Sequence, residues 1–102
     1  MLMTRRKPAP VSEILIEEFM KPMGLTQAVL AEAMGVQRSQ VNELCNDRRN
    51  VTAATALILA RVFGTSPDFW LNLQRRNDLW DALHDPDKRR RIDRARPLGR
   101  AA

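Results

Sequence analysis

The chain has 102 residues, of which 44% are hydrophobic, and it carries a net charge of +5 with a single cysteine. This size suits one domain with a modest core, and no apolar run approaches the roughly 18 residues of a membrane helix. The basic start MLMTRRKPAP lacks the apolar stretch of a secretory signal, and Cys45 has no partner for an internal disulfide, so we expect a soluble, cytoplasmic protein.

Charge is concentrated at the two ends of the chain. Residues 1–11 carry +3, residues 12–83 carry −2 and residues 84–102 carry +4. Basic ends around a nearly neutral centre favour a polyanionic partner. We therefore predict a basic flexible arm over residues 1–11, a folded domain over 12–84 and a basic disordered tail over 85–102.

The first predicted element is a helix. The apolar spacing is helical along the whole chain, with no alternating strand pattern and no internal repeat. Ser12 is the predicted cap of a helix that runs to about Lys21, and Pro22 and Gly24 are expected to end it.

The next two helices have the spacing of a helix-turn-helix motif in the segment TQAVLAEAMGVQRSQVNEL, residues 26–44. Thr26 caps the second helix, small Ala31 permits close helix crossing, and Gly35 makes the turn, where a positive φ is least costly for glycine. Val41 and Leu44 then fix the third helix, over about residues 37–46, onto the second. The opposite edge of that helix carries side chains suited to the DNA major groove: Gln37, Arg38, Ser39, Gln40 and Asn42.

Two further helices complete an all-α domain. Thr52 is the predicted cap of the fourth helix, which Gly64 ends. The run Ser66–Pro67–Asp68 is a strong start signal for a fifth helix that continues to about Leu83. The predicted fold is thus a five-helix domain with basic disordered tails.

This arrangement resembles the phage-repressor-like DNA-binding domains, and three segments are similar to the HigA antitoxins of bacterial toxin–antitoxin pairs: PVSEILIEEFMKPMGLTQAVLAEAMGV, MGVQRSQVNELCN and VTAATALILARVFGTSPDFWLNLQRRNDLWDA. The resemblance covers about residues 10–83. It departs at Asp47, where the family usually has glycine, and at Ala53–Ala54, where proline and an acid are usual. The resemblance implies neutralisation of a RelE/HigB-like mRNA-cleaving toxin and, as a dimer, repression of the chain's own operon at a palindromic operator.

The candidate DNA contacts fall into three groups. Gln27 begins the second helix, where unpaired N–H groups and the helix dipole favour a phosphate, and in the resembling repressors this glutamine binds one. Arg38 suits guanine and Ser39 is less discriminating, whereas Gln37 and Asn42 can read adenine or hold phosphates, and Gln40 can also point away. The loop after the third helix offers further backbone contacts: Arg48, Arg49, Asn50 and Thr52.

The fifth helix is predicted to contribute to a dimer contact. It carries two tryptophans and a phenylalanine, which is a large aromatic area for one terminal helix. A two-fold dimer would set two recognition helices about one DNA turn apart. The predicted dimer residues are Phe69, Trp70, Leu73, Trp80 and Leu83, widened by Leu79 and Ala82. The acidic residues of the first helix are the candidate toxin surface: Glu13, Glu17 and Glu18.

No nucleophile–base pair, metal set or phosphate loop is recognisable, so neither catalysis nor a cofactor is expected. Cys45 is expected to be a packed residue. His84 lies at the C-terminal end of the fifth helix, where a cation interacts favourably with the helix dipole. Two alternatives remain beside the antitoxin: a stand-alone helix-turn-helix regulator without a toxin, and a helical interaction module that does not bind DNA.

Overall fold

The chain, for which we use a computed structural model, is described over residues 6–99, and that range contains six helices and no β-strand. Helix α1 runs continuously through Val11–Ile14, a π-helical segment Leu15–Met20, and Lys21–Met23. The others are α2 (Gln27–Met34), α3 (Arg38–Cys45), α4 (Ala53–Phe63), α5 (Pro67–His84) and α6 (Pro86–Arg94). The all-α class with a helix-turn-helix at the second and third helices is confirmed, and the described range has one helix more than predicted.

The predicted caps of three helices are confirmed. The hydroxyls of Thr26, Thr52 and Ser66 each accept a hydrogen bond from the backbone N–H three residues later. Gly35 adopts a φ of 70° at the turn between α2 and α3. These local signals therefore define where α2, α4 and α5 begin and where α2 ends.

The start and end of α1 differ from the prediction. Ser12 does not cap the helix; it lies inside the first turn and is buried, because Pro10 is extended and its carbonyl already accepts the N–H groups of Glu13 and Ile14. Pro22 lies within the last turn instead of ending the helix. The chain leaves the helix at Gly24, which has a φ of 64°.

The core is centred on Trp70, which is 0% exposed. Its ring packs beside those of Phe19, Phe63 and Phe69, with centroids 5.0 to 6.0 Å away, and its Nε1–H donates to the Thr65 hydroxyl at 2.7 Å. Trp70 thus joins α1, α4 and α5. Its assignment to a dimer surface was wrong, because its whole side chain is used inside its own core.

The prediction of a disordered C-terminal tail is wrong for Pro86–Arg94, which forms α6. The Asp85 carboxylate caps this helix by accepting the N–H groups of Asp87 and Lys88, and Pro86 occupies the first helical position. Composition alone missed this local start signal. Residues 95–98 have no regular structure, and residues 100–102 lie outside the described range.

Two residues of the predicted N-terminal arm, Lys7 and Ala9, contact α5. Lys7 forms an ion pair with Asp81 at 3.0 Å, and the carbonyl of Ala9 accepts a hydrogen bond from the Asn77 side chain at 2.9 Å. Residues 1–5 of the predicted flexible arm lie outside the described range. Among the described residues, no helix has both the length and the apolar character needed to cross a membrane.

Candidate nucleic-acid interface

The helix-turn-helix holds α3 by one face and leaves its other edge exposed. Ala31 of α2 is 4% exposed, and Val41 and Leu44 of α3 are 0% and 2% exposed, so these three side chains form the contact between the helices. The polar edge faces solvent, as predicted from its spacing. Gln37, Arg38, Ser39 and Asn42 are exposed, and Gln40 is half-buried.

The N-terminal end of α3 presents hydrogen-bonding groups that the fold does not use. Gln37 precedes the helix but makes no capping bond with its side chain. Arg38 and Ser39 occupy the first turn, and within residues 6–99 the Arg38 guanidinium has no side-chain partner. An exposed guanidinium at a helix start has the donors to pair with the two acceptors of a guanine edge.

Gln27 and Asn42 lie side by side across the two helices of the motif. The Asn42 side-chain nitrogen donates to Gln27 Oε1 at 3.1 Å. Because this bond uses the Gln27 oxygen, it orients the Gln27 nitrogen as a donor at the start of α2, where backbone N–H groups are also unpaired. Two residues predicted separately are therefore one hydrogen-bonded unit suited to an anionic oxygen.

The loop after α3 is ordered by its own contacts. Asp47 adopts a φ of 57°, and Arg49 donates from Nε and Nη2 to Glu43 Oε1 at 3.2 and 2.8 Å. Arg48 is exposed and has no side-chain partner in the described chain, so it is the freer cation of the two. Thr52 is occupied by capping α4, and Asn50 is exposed.

Two residues that sequence reasoning missed support this loop. Glu43 holds Arg49, and Gln74 of α5 accepts the backbone N–H of Val51 at 3.0 Å while donating to Asp78 at 2.9 Å. Val51 and Gln74 are 23 residues apart, and no local pattern relates them. Only the packing of α5 against the end of the loop brings them together.

The remaining candidate surfaces lie on other helices. Glu13, Glu17 and Glu18 are all exposed, and Glu17 pairs with Lys21 at 2.8 Å. On α5, Phe69 and Leu79 are 38% and 41% exposed. The other predicted dimer residues Leu73, Trp80 and Leu83 are half-buried.

Cys45 and His84 make local contacts. Partial burial raises the pKa of the Cys45 thiol, whose Sγ lies 3.7 Å from the sulfur of Met20. The His84 ring stacks on Trp80, and its Nδ1 lies 2.8 Å from the Trp80 carbonyl oxygen. The described part of the chain contains no cluster of three or more histidine, cysteine or acidic residues that could hold a metal ion.

Known proteins share both the motif and the whole architecture. A helix-turn-helix family model matches residues 16–70. Antitoxin HigA-1 of Vibrio cholerae is 50% identical over 78 residues, which are 76% of this chain and 73% of that protein. The chain belongs to the HigA-type helix-turn-helix family.

Two further proteins extend the comparison. An uncharacterised helix-turn-helix transcriptional regulator of Haemophilus influenzae is 46% identical over 83 residues, covering 81% of this chain and 78% of the relative. The solved structure of the antitoxin GraA in complex with its operator matches with a TM-score of 0.82 and 38% identity, covering 96% of this chain and 98% of that one. The family resemblance and the fold are thus shown over most of the chain.

Proposed function

We propose that the chain is an antitoxin that neutralises a RelE/HigB-like mRNA-cleaving toxin and, as a homodimer, represses its own operon by binding a palindromic operator. The observation that carries this proposal is the exposed Arg38 beside Ser39 at the start of α3, which has no side-chain partner among the described residues, in a chain whose relative GraA was solved with operator DNA. In this proposal the protein acts in the cytoplasm and associates with the nucleoid when bound to DNA.

On DNA, α3 enters the major groove with its N-terminal end foremost. Arg38 pairs with a guanine, and Ser39, Gln37 and Gln40 complete the base contacts. The Gln27–Asn42 unit binds a phosphate of the DNA backbone at the start of α2. The backbone of the same DNA strand is also contacted by the loop residues Arg48, Arg49, Asn50 and Thr52. Arg49 contributes less than Arg48, because Glu43 already neutralises it.

Dimerisation uses the outward face of α5. Leu79 is the exposed apolar residue in its middle, and Asn72, Arg75 and Arg76 share a groove with it. Phe69 and Leu83 lie toward the two ends of this face, whereas Trp80 and Leu73 lie at its inner edge, and Trp70 takes no part. A two-fold dimer would carry two recognition helices, which matches the two half-sites of a palindrome.

The DNA-binding test is fluorescence anisotropy with the upstream DNA of the chain's own gene. Arg38→Ala is expected to weaken operator binding by about 1–3 kcal/mol, a factor of roughly 5 to 150, and to relax base preference at one position. Ser39→Ala should have a smaller effect. Arg61→Ala, an exposed arginine on α4, is the matched control and should bind like the wild type. Equal affinity for the Arg38 variant and the control would exclude this recognition mode. A wild-type chain that does not bind the DNA at all would favour the helical module without DNA binding.

For the toxin, we propose the acidic face of α1 as the docking surface. Glu13 and Glu18 have no ion-pair partner in the described range, whereas Glu17 is paired with Lys21. Glu13→Lys/Glu18→Lys should abolish co-elution with the product of the neighbouring gene in size-exclusion chromatography. Glu32→Lys, on α2, is the control and should still co-elute.

The stand-alone regulator is the alternative function, consistent with the description of the Haemophilus relative as a transcriptional regulator. The same chromatography separates the two. If the wild-type chain forms no complex with its neighbouring gene product yet still binds its upstream DNA, the regulator remains and the antitoxin proposal fails.

A further inference from the structure

Helix α6 is a basic helix with no buried residue. Five of its nine residues are lysine or arginine, and its main neighbour is the end of α5. Its start is nevertheless well defined, because the Asp85 carboxylate accepts two backbone N–H groups at 2.9 and 3.2 Å. The helix is therefore specified locally, by its cap and first turn, and not by burial in the core.

The acidic residues of α6 are already paired. Asp93 binds Arg89 at 3.1 Å, and Asp87 binds Arg90. The cations of α6 that have no side-chain partner among the described residues are Lys88, Arg91 and Arg94. Residues three apart are neighbours on a helix surface, so these three side chains form a basic row along one side of α6. Lys88 and Arg91 also line an open groove of about 420 Å³.

The two aspartates of α6 do not balance its five lysine and arginine residues. An isolated helix of nine residues is marginal in water, and like charges three residues apart repel one another. Burial does not offset this, since all residues of α6 are exposed. The described molecule is also elongated, 53 × 27 × 22 Å, as an outlying helix would make it. A polyanion along the basic row would neutralise the repulsion and stabilise the helix.

We propose that α6 is a second DNA contact, which binds the phosphate backbone without sequence preference, apart from the bases that α3 reads. This inference rests on the proposed DNA-binding function. Ile92 is the one large apolar residue of α6, so the helix lacks the buried aromatic or aliphatic centre of a protein interface. Phosphate contacts, by contrast, are electrostatic and are made by exposed lysine and arginine side chains.

The test measures the salt dependence of binding by the full chain to two duplexes of equal length, its upstream operator and a scrambled sequence of the same composition. The variant Lys88→Gln/Arg91→Gln/Arg94→Gln removes three charges and keeps helix-forming residues. We measure the association constant K between about 50 and 200 mM salt. On both duplexes, the negative slope of log K against log salt should become shallower by about two to three units. The ratio of operator to scrambled affinity should stay at the wild-type value.

Lys7→Gln/Lys21→Gln/Arg61→Gln is the matched control, which loses the same charge from other parts of the chain and should keep the wild-type slope. A wild-type slope for the α6 variant, or an equal decrease for the control, overturns the inference. If the proposed function is wrong, the wild-type chain will bind the operator no better than the scrambled duplex. In that case the salt slope on the scrambled duplex still tests the role of α6.

A second pair of variants tests whether the helix itself matters. Asp85→Asn and Asp85→Ala make the same change in charge, but asparagine caps a helix about as well as aspartate and alanine does not. Asp85→Ala should therefore bind both duplexes more weakly than Asp85→Asn, with less helical circular dichroism. Equal affinities would overturn the assignment of the contact to a preformed helix.

Discussion

At the scale of single residues, Asp47 combines a conformational role with an electrostatic one. It is the one non-glycine residue among residues 6–99 with a positive φ, and it precedes Arg48 and Arg49 in the loop after α3. A left-handed conformation is costly for a residue with a Cβ, although aspartate tolerates it better than most. The sequence departs here from the glycine usual in the resembling family, and the fold keeps the conformation that glycine would favour.

Replacing Asp47 should separate these two roles. Asp47→Gly is expected to raise the free energy of unfolding by about 1 kcal/mol, because it relieves the left-handed strain, and to strengthen DNA binding by removing a negative charge. Asp47→Asn removes the charge and keeps the Cβ, so it should strengthen binding with less gain in stability. Urea denaturation and anisotropy titrations measure both effects. Weaker DNA binding by both variants would contradict the electrostatic role.

Cys45 gives a pH-dependent prediction. Burial raises the pKa of its thiol, so at a given pH the folded chain holds less thiolate than the unfolded chain. Alkylation by iodoacetamide at about pH 8 should be slower in buffer than in denaturing urea, and the folded rate should keep rising above the ordinary thiol pKa. Since the unfolded thiol ionises first, this residue's contribution to stability decreases as the pH rises through that range. Equal alkylation rates in the two states would show that the thiol is freely exposed.

At the scale of elements, α5 supports the loop that follows α3. The Gln74 side chain satisfies the N–H of Val51, which is 5% exposed, and Asp78 in turn accepts from Gln74. The loop that carries Arg48 is therefore fixed to the same helix whose outward face is proposed to dimerise. A change on α5 can alter DNA contacts through this connection without touching α3.

Gln74→Leu should weaken both stability and DNA binding. It leaves the N–H of Val51 without an acceptor in a largely buried place, which costs about 1–3 kcal/mol. Operator affinity should also fall because the loop is released from α5. Asp78→Asn is the control: its side-chain oxygen can still accept from Gln74, so its effect on urea denaturation should be small. A Gln74→Leu variant as stable as the wild type would argue against this connection.

At the scale of the whole molecule, the proposed dimer depends on which face of α5 remains free. The inner face is filled by Trp70 and by Asn77, which also holds the N-terminal segment through Ala9. The outward face carries Leu79, 41% exposed between polar neighbours. Packing within one chain thus divides the aromatic and aliphatic residues of α5 between a core and a candidate interface.

Leu79→Arg should convert the dimer to a monomer, because it sets two like charges against each other across a two-fold axis. Sedimentation velocity would measure the change, and operator affinity should fall strongly since one domain makes half the contacts. Leu57→Arg is a matched control on α4, where the leucine is 59% exposed, and it should remain dimeric. A monomeric wild type, or loss of the dimer in both variants, would contradict the α5 interface.

Local sequence determined most helix boundaries and the polar edge of α3. Thr26, Thr52 and Ser66 cap the helices they were expected to cap, and Gly35 makes the turn, because capping and positive φ depend on neighbouring residues alone. The same local rules, applied to Asp85 and Pro86, would have found α6. The exception is Ser12, where the extended Pro10 starts the helix earlier.

Tertiary structure decided what joins distant parts of the chain. The burial of Trp70, the Gln27–Asn42 bond and the support of Val51 by Gln74 depend on how helices cross. Helical periodicity groups the apolar residues of α5 into a stripe, but it does not say which of them the rest of the chain covers. Covering requires long-range contacts, and these arise only when all the helices have packed together.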